Sequence, residues 1–264
     1  MLTAERRQII SEKLQTEKKV IVSHLSDLFS VSDETIRRDL EYLCKAGLAI
    51  KSYGGAILNE NDLPFSVRKA QNAEQKKKIA TFIKSLVNDG ESIMLDASTT
   101  AVFVANALKE KSKLKVITNS IEVMLELSDK SDWTIIATGG YLMGDYLAFA
   151  GQRAVSEIAS FHIDKLIFSC KGLTQEGIFE SNDDFCQVKR AMLKAAKTKI
   201  LAVDFSKFNK RAFSKIANIT DIDMVVTDIR PSNEWVDWLK AYEIGLMIDD
   251  FDIRVQHHVK SEVW

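Results

Sequence analysis

The chain has few proline residues, and it has few of the cysteines that are typical of disulfide-rich proteins and of proteins with structural metal sites. Among its 264 residues only two are proline and three are cysteine. Cys44, Cys170 and Cys186 make an odd number and contain no Cys-x-x-Cys pair, so the sequence provides neither a disulfide framework nor a thiolate metal site. We therefore expect reduced thiols, no metal and no other cofactor.

Long apolar runs are also missing. No run approaches the roughly 20 apolar residues that a membrane-spanning helix needs. The sequence begins with a charged helical pattern rather than with the apolar segment of a signal peptide. The expected location is the cytoplasm, and we expect no membrane partner.

Net charge is close to zero, at −1 for the whole chain. Residues 1–57 carry nine Lys or Arg against eight Asp or Glu, a balance of +1. This segment therefore lacks the strongly basic footprint of many nucleic-acid-binding proteins, and charge alone does not indicate DNA. The length of the chain and its 46% hydrophobic content favour two domains with a well-buried core.

Two short helical patterns separated by a tight turn lie near the amino terminus. The first runs from Ser23 to Phe29 and the second begins at Asp33. Ser32 precedes the second helix and its hydroxyl can accept an amide hydrogen bond from the first turn. The periodicity predicts an inward face. That face consists of Val31, Ile36, Leu40 and Leu43. Thr35, Arg37 and Arg38 are then expected to point outward.

The flanking elements extend this pair to a winged helix-turn-helix over residues 1–57. An earlier helix is predicted from Ala4 to Gln15, with its inward positions at Ile9, Ile10 and Leu14. Gly47 is a plausible helix terminator, and Leu48 to Lys51 reads as a strand that turns at Gly54 and Gly55. Two interpretations remain at this point, a helix presented to a DNA major groove and an ordinary solvated helical face.

A resemblance favours the first interpretation. The string Thr35 to Leu40, of sequence Thr-Ile-Arg-Arg-Asp-Leu, and its distance to Tyr53 to Ala56 resemble the DNA-binding head of the DeoR family of bacterial sugar-metabolism regulators. The resemblance implies operator DNA as a partner, and a homo-oligomer (dimer or tetramer) acting on repeated half-sites. The residues expected to contact DNA are Ser32, Thr35, Arg37, Arg38, Lys51 and Tyr53.

From Ser92 onward, short apolar strands alternate with helical patterns. The predicted strands are Ser92–Leu95, Lys115–Thr118, Thr134–Ala137, Leu166–Phe168, Ile200–Val203 and Met224–Val226. This alternation predicts an α/β domain with a parallel sheet that is covered on both faces. We place this domain at residues 76–250, with a linker at 58–75 and a carboxyl-terminal tail at 251–264.

Polar and glycine residues follow the predicted strands. In open parallel sheets, ligands bind outside the carboxyl ends of the strands, and free amides at a helix amino terminus favour phosphate. Hydroxyl residues before a helix are usually only capping residues, but the convergence of several polar strand ends on one edge predicts a binding site. The candidates are Asp96, Ser98, Thr99, Thr100, Asn119, Ser120, Gly139, Gly140, Lys171 and Lys207.

The same segments resemble the effector-sensing domain of the DeoR family, which is similar in fold to ribose-5-phosphate isomerase and glucosamine-6-phosphate deaminase. The resemblance extends to about residue 249. It implies that Ser98, Thr99 and Thr100 hold the phosphate of a sugar, and that the rest of the ligand faces Asn119, Ser120 and Lys207. The family often has glycine where Ser98 stands, so we expect either a tighter phosphate loop or an altered ligand.

These observations predict a DNA-binding transcriptional regulator, a repressor of a carbohydrate catabolic operon, that responds to a phosphorylated sugar. Residues 168–172 and 180–183 resemble the branch that regulates deoxy-sugar (fucose) catabolism. The alternative is a sugar-phosphate isomerase or deaminase that carries a DNA-binding head. Its candidate carboxylates Asp96, Glu180, Asp183 and Asp184 do not form a pair that we can assign to proton transfer. Cys170 is expected to be a buried structural thiol rather than a redox sensor.

Overall fold

The chain folds as two compact units, with the boundary between Arg68 and Lys69. The computed structural model describes residues 2–45, 48–58, 63–248 and 251–253. The first unit is a winged helix-turn-helix and the second contains a parallel sheet with helices, so the predicted fold class is confirmed.

The amino-terminal unit contains three helices and a three-stranded antiparallel sheet of order β1-β3-β2. Its elements are α1 (Thr3–Glu17), β1 (Lys19–Ile21), α2 (Val22–Phe29), α3 (Asp33–Lys45), β2 (Ala49–Ser52) and β3 (Gly55–Leu58). The strand β1 is absent from the sequence prediction because three residues are too few to establish a periodicity. Its pairing with β3 makes β3 the central strand of the wing.

The core of this unit is built from one face of each helix. Ile10, Leu14, Ile36 and Leu40 are buried in it together. Ile9 was predicted to point inward, but it is exposed, because successive helical residues differ by about 100° and Ile10 occupies the buried face. Gly47, the predicted helix terminator, lies outside the described residues.

The carboxyl-terminal unit alternates strands and helices over its whole length. Its first half contains α5 (Ala73–Leu86), β4 (Ser92–Leu95), α6 (Thr99–Leu108), β5 (Lys115–Thr118), α7 (Ile121–Leu127), β6 (Thr134–Ala137), β7 (Tyr141–Met143), β8 (Ala148–Ala150) and α8 (Gln152–Ile158). A further helix, α4 (Phe65–Ala70), contains the boundary between the units.

The second half of this unit continues the alternation. It contains β9 (Ile163–Phe168), β10 (Gly172–Thr174), β11 (Gly177–Glu180), α9 (Asp183–Ala195), β12 (Ala196–Ala202), β13 (Ser214–Ala217), β14 (Met224–Val226), α10 (Asn233–Ala241), β15 (Gly245–Ile248) and β16 (Phe251–Ile253). The predicted strands at β4, β5, β6 and β14 agree with the structure residue for residue.

The main sheet has the strand order β16-β15-β14-β12-β9-β4-β5-β6 and is parallel except for β16. Beyond β4, the sheet continues with β5 and then β6. Beyond β9, it continues on the opposite side with β12 and then β14. The order of strands therefore reverses between β4 and β9. Leu95 aligns with Thr118 on one side and with Ile167 on the other, so the residues after these strands lie at one edge of the sheet.

Two small antiparallel sheets were not predicted. One is the β7–β8 hairpin, and the other joins β10, β11 and β13. Both consist of three- or four-residue strands, which have too little alternation to be distinguished from loops by sequence. The hairpin directly follows Gly139 and Gly140 at the end of β6.

The segments proposed as linker and tail contain regular structure where they are described. Residues 58–75 include α4 and the start of α5. Residues Phe251–Ile253 pair with β15 as an edge strand of the main sheet. The predicted linker residues Asn59 to Asp62, the end of the predicted domain at 249–250 and the tail from 254 to Trp264 lie outside the described residues.

Candidate DNA-binding and effector-binding sites

The turn before α3 is organised by Ser32. Its Oγ accepts a 3.3 Å hydrogen bond from the Thr35 amide and lies 2.9 Å from the Thr35 hydroxyl. Ser32 thus caps the helix, as its position in the sequence predicted. Thr35 is half-buried and its hydroxyl is engaged with Ser32, so it is less outward-facing than the periodicity indicated.

The two arginines of α3 are exposed. Arg38 Nε lies 3.3 Å from Oε1 of Glu34, one turn earlier, and the two side chains are 75% and 64% exposed. Ion pairs of this kind on a helix surface contribute only about 0.3–0.5 kcal/mol. The guanidinium of Arg38 can therefore exchange Glu34 for another acceptor at little cost.

The wing presents an aromatic side chain at its tip. Tyr53 is fully exposed and precedes Gly54, whose φ of +72° forms the turn between β2 and β3. Lys51, also exposed, lies 3.4 Å from a carboxylate oxygen of Glu41. An exposed cation and an exposed phenol on one hairpin suit contacts with phosphate and sugar.

Sequence reasoning missed the structural role of Asp39 in the same helix. Its carboxylate is buried and accepts hydrogen bonds from Arg6 Nε at 2.6 Å and from Arg7 Nε at 2.7 Å. The signal was present, since Asp39 follows Ile36 by three residues and precedes Leu43 by four, which places it on the apolar face. A charged residue on that face indicates a buried ion pair.

The first candidate effector loop is the segment between β4 and α6. The buried Asp96 accepts hydrogen bonds at Oδ1 from the Ser98 amide (3.2 Å) and the Ser98 hydroxyl (2.6 Å). The Ser98 Oγ in turn accepts the Ala101 amide at 3.1 Å and caps α6. Thr99 and Thr100 form the first turn and are buried.

Serine at position 98 does not strain this loop. Its φ is −78°, in the ordinary extended region. The expectation of a tighter loop, based on the glycine that the family often has there, is therefore wrong in this respect, because the backbone needs no positive φ. The Ser98 hydroxyl is already engaged, because it donates to Asp96 and accepts the amide of Ala101.

The second loop, after β5, contains a buried acceptor. Ser120 caps α7 by accepting the Val123 amide at 3.2 Å. Asn119 donates from Nδ2 to the carbonyl of Phe149 at 2.9 Å, which fixes the orientation of its amide. Its Oδ1 is buried, and no described residue donates a hydrogen bond to it. Strand register puts Asn119 beside Asp96 at the edge of the sheet.

The remaining candidates are spread along the same edge. Gly139 and Gly140 follow β6, and the close approach at Gly140 is to the carbonyl of Ala150, which an added Cβ would meet at 2.4 Å. The absence of a side chain at position 140 thus allows the hairpin to pack closely and does not open space for a ligand. Lys171 and Lys207 are half-buried and follow β9 and β12.

Another residue at this edge was not predicted at all. Lys189, in α9, is buried beside Asp96 and Glu180. Its sequence signal is a lysine four residues after Phe185 and three before Met192, both of which are buried. Cationic residues on such a face require an anionic partner. The identity of that partner follows only from the fold.

Comparison with known proteins identifies both units. Residues 6–62 match the family model described as "DeoR-like helix-turn-helix domain", and residues 71–229 match that of "DeoR C terminal sensor domain". The chain belongs to the DeoR family. It is a DNA-binding transcriptional regulator with a sensor domain, and not an enzyme.

Two relatives of this DeoR-family chain align over most of their length. One is "Uncharacterized HTH-type transcriptional regulator YulB" of Bacillus subtilis (strain 168), 41% identical over 86% of this chain and 90% of the relative. Another is "HTH-type transcriptional repressor GlcR" of the same organism, 32% identical over 96% and 98%. A solved ribose 5-phosphate isomerase A from Methanocaldococcus jannaschii superposes with a TM-score of 0.38 and 15% identity, over 52% of this chain and 55% of that one.

Two other kinds of site are absent from the residues that the structure describes. Within the ranges that the structure describes, no helix is long and apolar enough to cross a membrane. The same ranges contain no cluster of three or more His, Cys, Asp or Glu side chains arranged to hold a metal ion.

Proposed function

We propose that this DeoR-family regulator is a repressor of a carbohydrate catabolic operon, and that a phosphorylated sugar bound at the carboxyl ends of β4 and β5 changes its affinity for the operator. The relative GlcR is named as a transcriptional repressor, which supports repression as the direction of regulation.

The DNA-binding half of the proposal depends on α3 and the wing. Arg37 and Arg38 are exposed on a helix that begins at a capped turn, and Arg side chains pair with guanine edges or with phosphate. Lys51 and Tyr53 contact the DNA backbone or minor groove. Ser32 and Thr35 contact DNA from the amino end of the helix. A single head covers one half-site, so the protein acts as a homo-oligomer on repeated half-sites.

The effector half depends above all on Asn119. A buried acceptor without a donor costs about 1–3 kcal/mol, and a sugar hydroxyl is a donor of the required kind. The amino end of α6, one strand away, favours the phosphate because its amides and dipole attract an anion. A ligand with an anionic group and a hydroxyl satisfies both features. Lys171 and Lys207 supply positive charge along the same edge. Gly139 leaves open space there, and Gly140 lets the hairpin pack beside Asn119.

The experiment is fluorescence anisotropy with the full-length protein and a labelled duplex from the DNA upstream of its own gene, at fixed salt. Phosphorylated hexoses, pentoses and deoxy-sugars are added one at a time, each paired with its unphosphorylated sugar. We expect one phosphorylated compound to weaken DNA binding by roughly 5- to 150-fold, the usual range of allosteric coupling. Equal effects from the unphosphorylated partner would contradict the phosphate site.

A matched pair of threonine variants locates the site. Thr99→Ala removes a hydroxyl at the amino end of α6, and Thr134→Ala removes an exposed one at the opposite edge of the sheet, where β6 begins. We expect Thr99→Ala to bind DNA normally and to lose the response to the sugar phosphate. Thr134→Ala should respond as the unaltered protein does. A normal response in Thr99→Ala would move the effector site elsewhere.

A further inference from the structure

Lys189 forms the centre of a buried ion cluster. Its Nζ lies 2.5 Å from Glu180 Oε2, 3.2 Å from Asp96 Oδ2 and 2.7 Å from the carbonyl oxygen of Ser169. Only 8% of the Lys189 side chain is exposed, and the side chains of Glu180 and Asp96 are 7% and 1% exposed. The cluster joins α9, β11 and the residues that follow β4 and β9.

This cluster lies where the order of strands reverses. The amide of Ser169, just after β9, donates to Asp96 Oδ2 at 3.1 Å and spans the reversal directly. In open α/β sheets the reversal point is where ligands bind. Lys189 contacts both sides of it, through the Asp96 carboxylate and the Ser169 carbonyl.

The charge of Lys189 is retained despite its burial. Burial by itself would lower the pKa of this lysine, but Glu180 and Asp96 outweigh that effect and the pKa is raised. Burial likewise opposes ionisation of Glu180, whereas Lys189 and the Ser181 amide hold the pKa of Glu180 below its ordinary value. The formal charge of the cluster is −1, and it would be −2 without the lysine.

Asp96 connects the cluster to the candidate phosphate loop. Its Oδ1 accepts the amide and hydroxyl of Ser98, and Ser98 caps α6. Its other oxygen accepts from Ser169 and Lys189. One carboxylate is thus shared between the loop and the cluster. A change in the position or charge of the Asp96 carboxylate therefore alters the electrostatic environment at the amino end of α6.

We propose that Lys189 is a positioning residue of the effector site, whose cation fixes Asp96 and offsets its negative charge so that the amino end of α6 can accept a dianionic group. This inference rests on the proposed function, because it concerns the same loop. An uncompensated carboxylate beneath that loop would repel the ligand phosphate, since charges interact more strongly where water is excluded. Loss of the cation therefore weakens anion binding even where the fold is kept.

The test measures binding of radiolabelled sulfate to the full-length protein by equilibrium dialysis at pH 8 and constant ionic strength. Sulfate is chosen because it carries two charges throughout the working range of pH. Lys189→Met removes the cation with little change in side-chain shape. Lys194→Met is the control, since Lys194 is an exposed lysine in the same helix. We expect at least tenfold weaker sulfate binding in Lys189→Met and unchanged binding in Lys194→Met.

A double variant separates charge from structure. Lys189→Met with Glu180→Gln removes one positive and one negative group and restores the charge of the cluster to −1. It also leaves fewer unpaired buried charges than the single variant, so it remains informative where Lys189→Met folds poorly. We expect sulfate binding to recover to within threefold of the unaltered protein. Weak binding in a folded double variant would mean a purely structural lysine and overturn the proposal.

The same measurement distinguishes this inference from the proposed effector site. If the unaltered protein does not bind sulfate, or if Thr99→Ala binds it equally well, the anion is not bound at the amino end of α6. The role proposed for Lys189 is then excluded as well. If the unaltered protein binds sulfate, Thr99→Ala does not, and Lys189→Met binds normally, the effector site stands and the role of Lys189 alone is overturned.

Discussion

Asp39 and Arg6 form a buried ion pair, with Oδ2 of Asp39 2.6 Å from Nε of Arg6. The other carboxylate oxygen of Asp39 accepts Arg7 Nε at 2.7 Å, and the Arg7 guanidinium stacks 4.0 Å above the ring of Tyr42. These contacts tie α1 to α3. Asp39 therefore holds α3 against α1, although it stands next to the exposed Arg38 in the sequence.

Removal of Asp39 should destabilise the amino-terminal unit. Asp39→Ala leaves Arg6 buried without a counter-charge, and breaking one partner of such a pair typically costs about 3–5 kcal/mol. The unit contains no tryptophan among residues 1–68, so hydrogen exchange of the α1 and α3 amides is the suitable measurement. We expect faster exchange there and unchanged exchange in β4 and β5. Glu34→Ala, which removes an exposed carboxylate from α3, is the control and should have little effect.

The two exposed arginines should account for much of the operator affinity. Arg37→Ala or Arg38→Ala should weaken specific binding by about 1–3 kcal/mol if the side chain reads a base, and should lower the salt slope by about one if it meets a phosphate. The measurement is anisotropy at several salt concentrations. Arg230→Ala, at an exposed position in the sensor unit, should bind operator normally. Full affinity in the Arg37→Ala, Arg38→Ala double variant would exclude α3 as the recognition helix.

The parts of the fold that were predicted depend on local patterns. The strand Lys115–Thr118 agrees with the structure residue for residue, because its apolar run is followed by polar residues, and Ser120 then caps the helix α7. The strand order is not local, and the β10–β11–β13 sheet consists of strands too short to have a period. Such elements become visible only when residues distant in sequence are paired.

The residues of the candidate sites also divide into those predicted from local sequence patterns and those that depend on distant segments of the chain. Ser32, Ser98 and Ser120 were predicted from their positions before helices, and each accepts an amide of its helix. The contacts of Lys189 and the burial of Asn119 Oδ1 depend on segments far apart in the chain. Their sequence signals, a polar residue among apolar ones, indicate that a partner exists but not which one.

The hairpin after β6 allows a matched test of two adjacent glycines. Gly139 (φ +62°) has open space around it, whereas a Cβ at Gly140 (φ +113°) would meet the carbonyl of Ala150. Gly139→Ala should cost only about 1–2 kcal/mol for its left-handed backbone. Gly140→Ala should also displace β8, whose Phe149 amide donates to Asn119 O at 2.8 Å. We expect loss of hydrogen-exchange protection at Phe149 in Gly140→Ala alone, and equal protection in both variants would contradict this packing.

The reactivity of the cysteines follows from their burial. Burial raises the pKa of the Cys170 thiol from its ordinary 9.0 to about 12, and the nearby cation of Lys189 only partly opposes this. At pH 8 the Cys170 thiol is then almost entirely protonated, whereas the thiolate is the reactive form. Because the pKa of Cys170 is raised in the folded state, folding favours the protonated thiol. This contribution to the free energy of unfolding is fully present below pH 9 and is lost as the pH rises toward 12.

We therefore expect Cys170 to resist alkylation by iodoacetamide at pH 8 in the folded protein and to react once denaturant is added. Cys44 is half-buried and its pKa is raised chiefly by burial, with Lys51 opposing, so it should be alkylated first. Peptide mass spectrometry with and without denaturant measures both sites in one sample, and a Cys44→Ser variant removes the competing thiol. Alkylation of Cys170 in the folded protein at a rate matching Cys44 would restore the redox-sensor interpretation, since that chemistry requires an accessible thiolate.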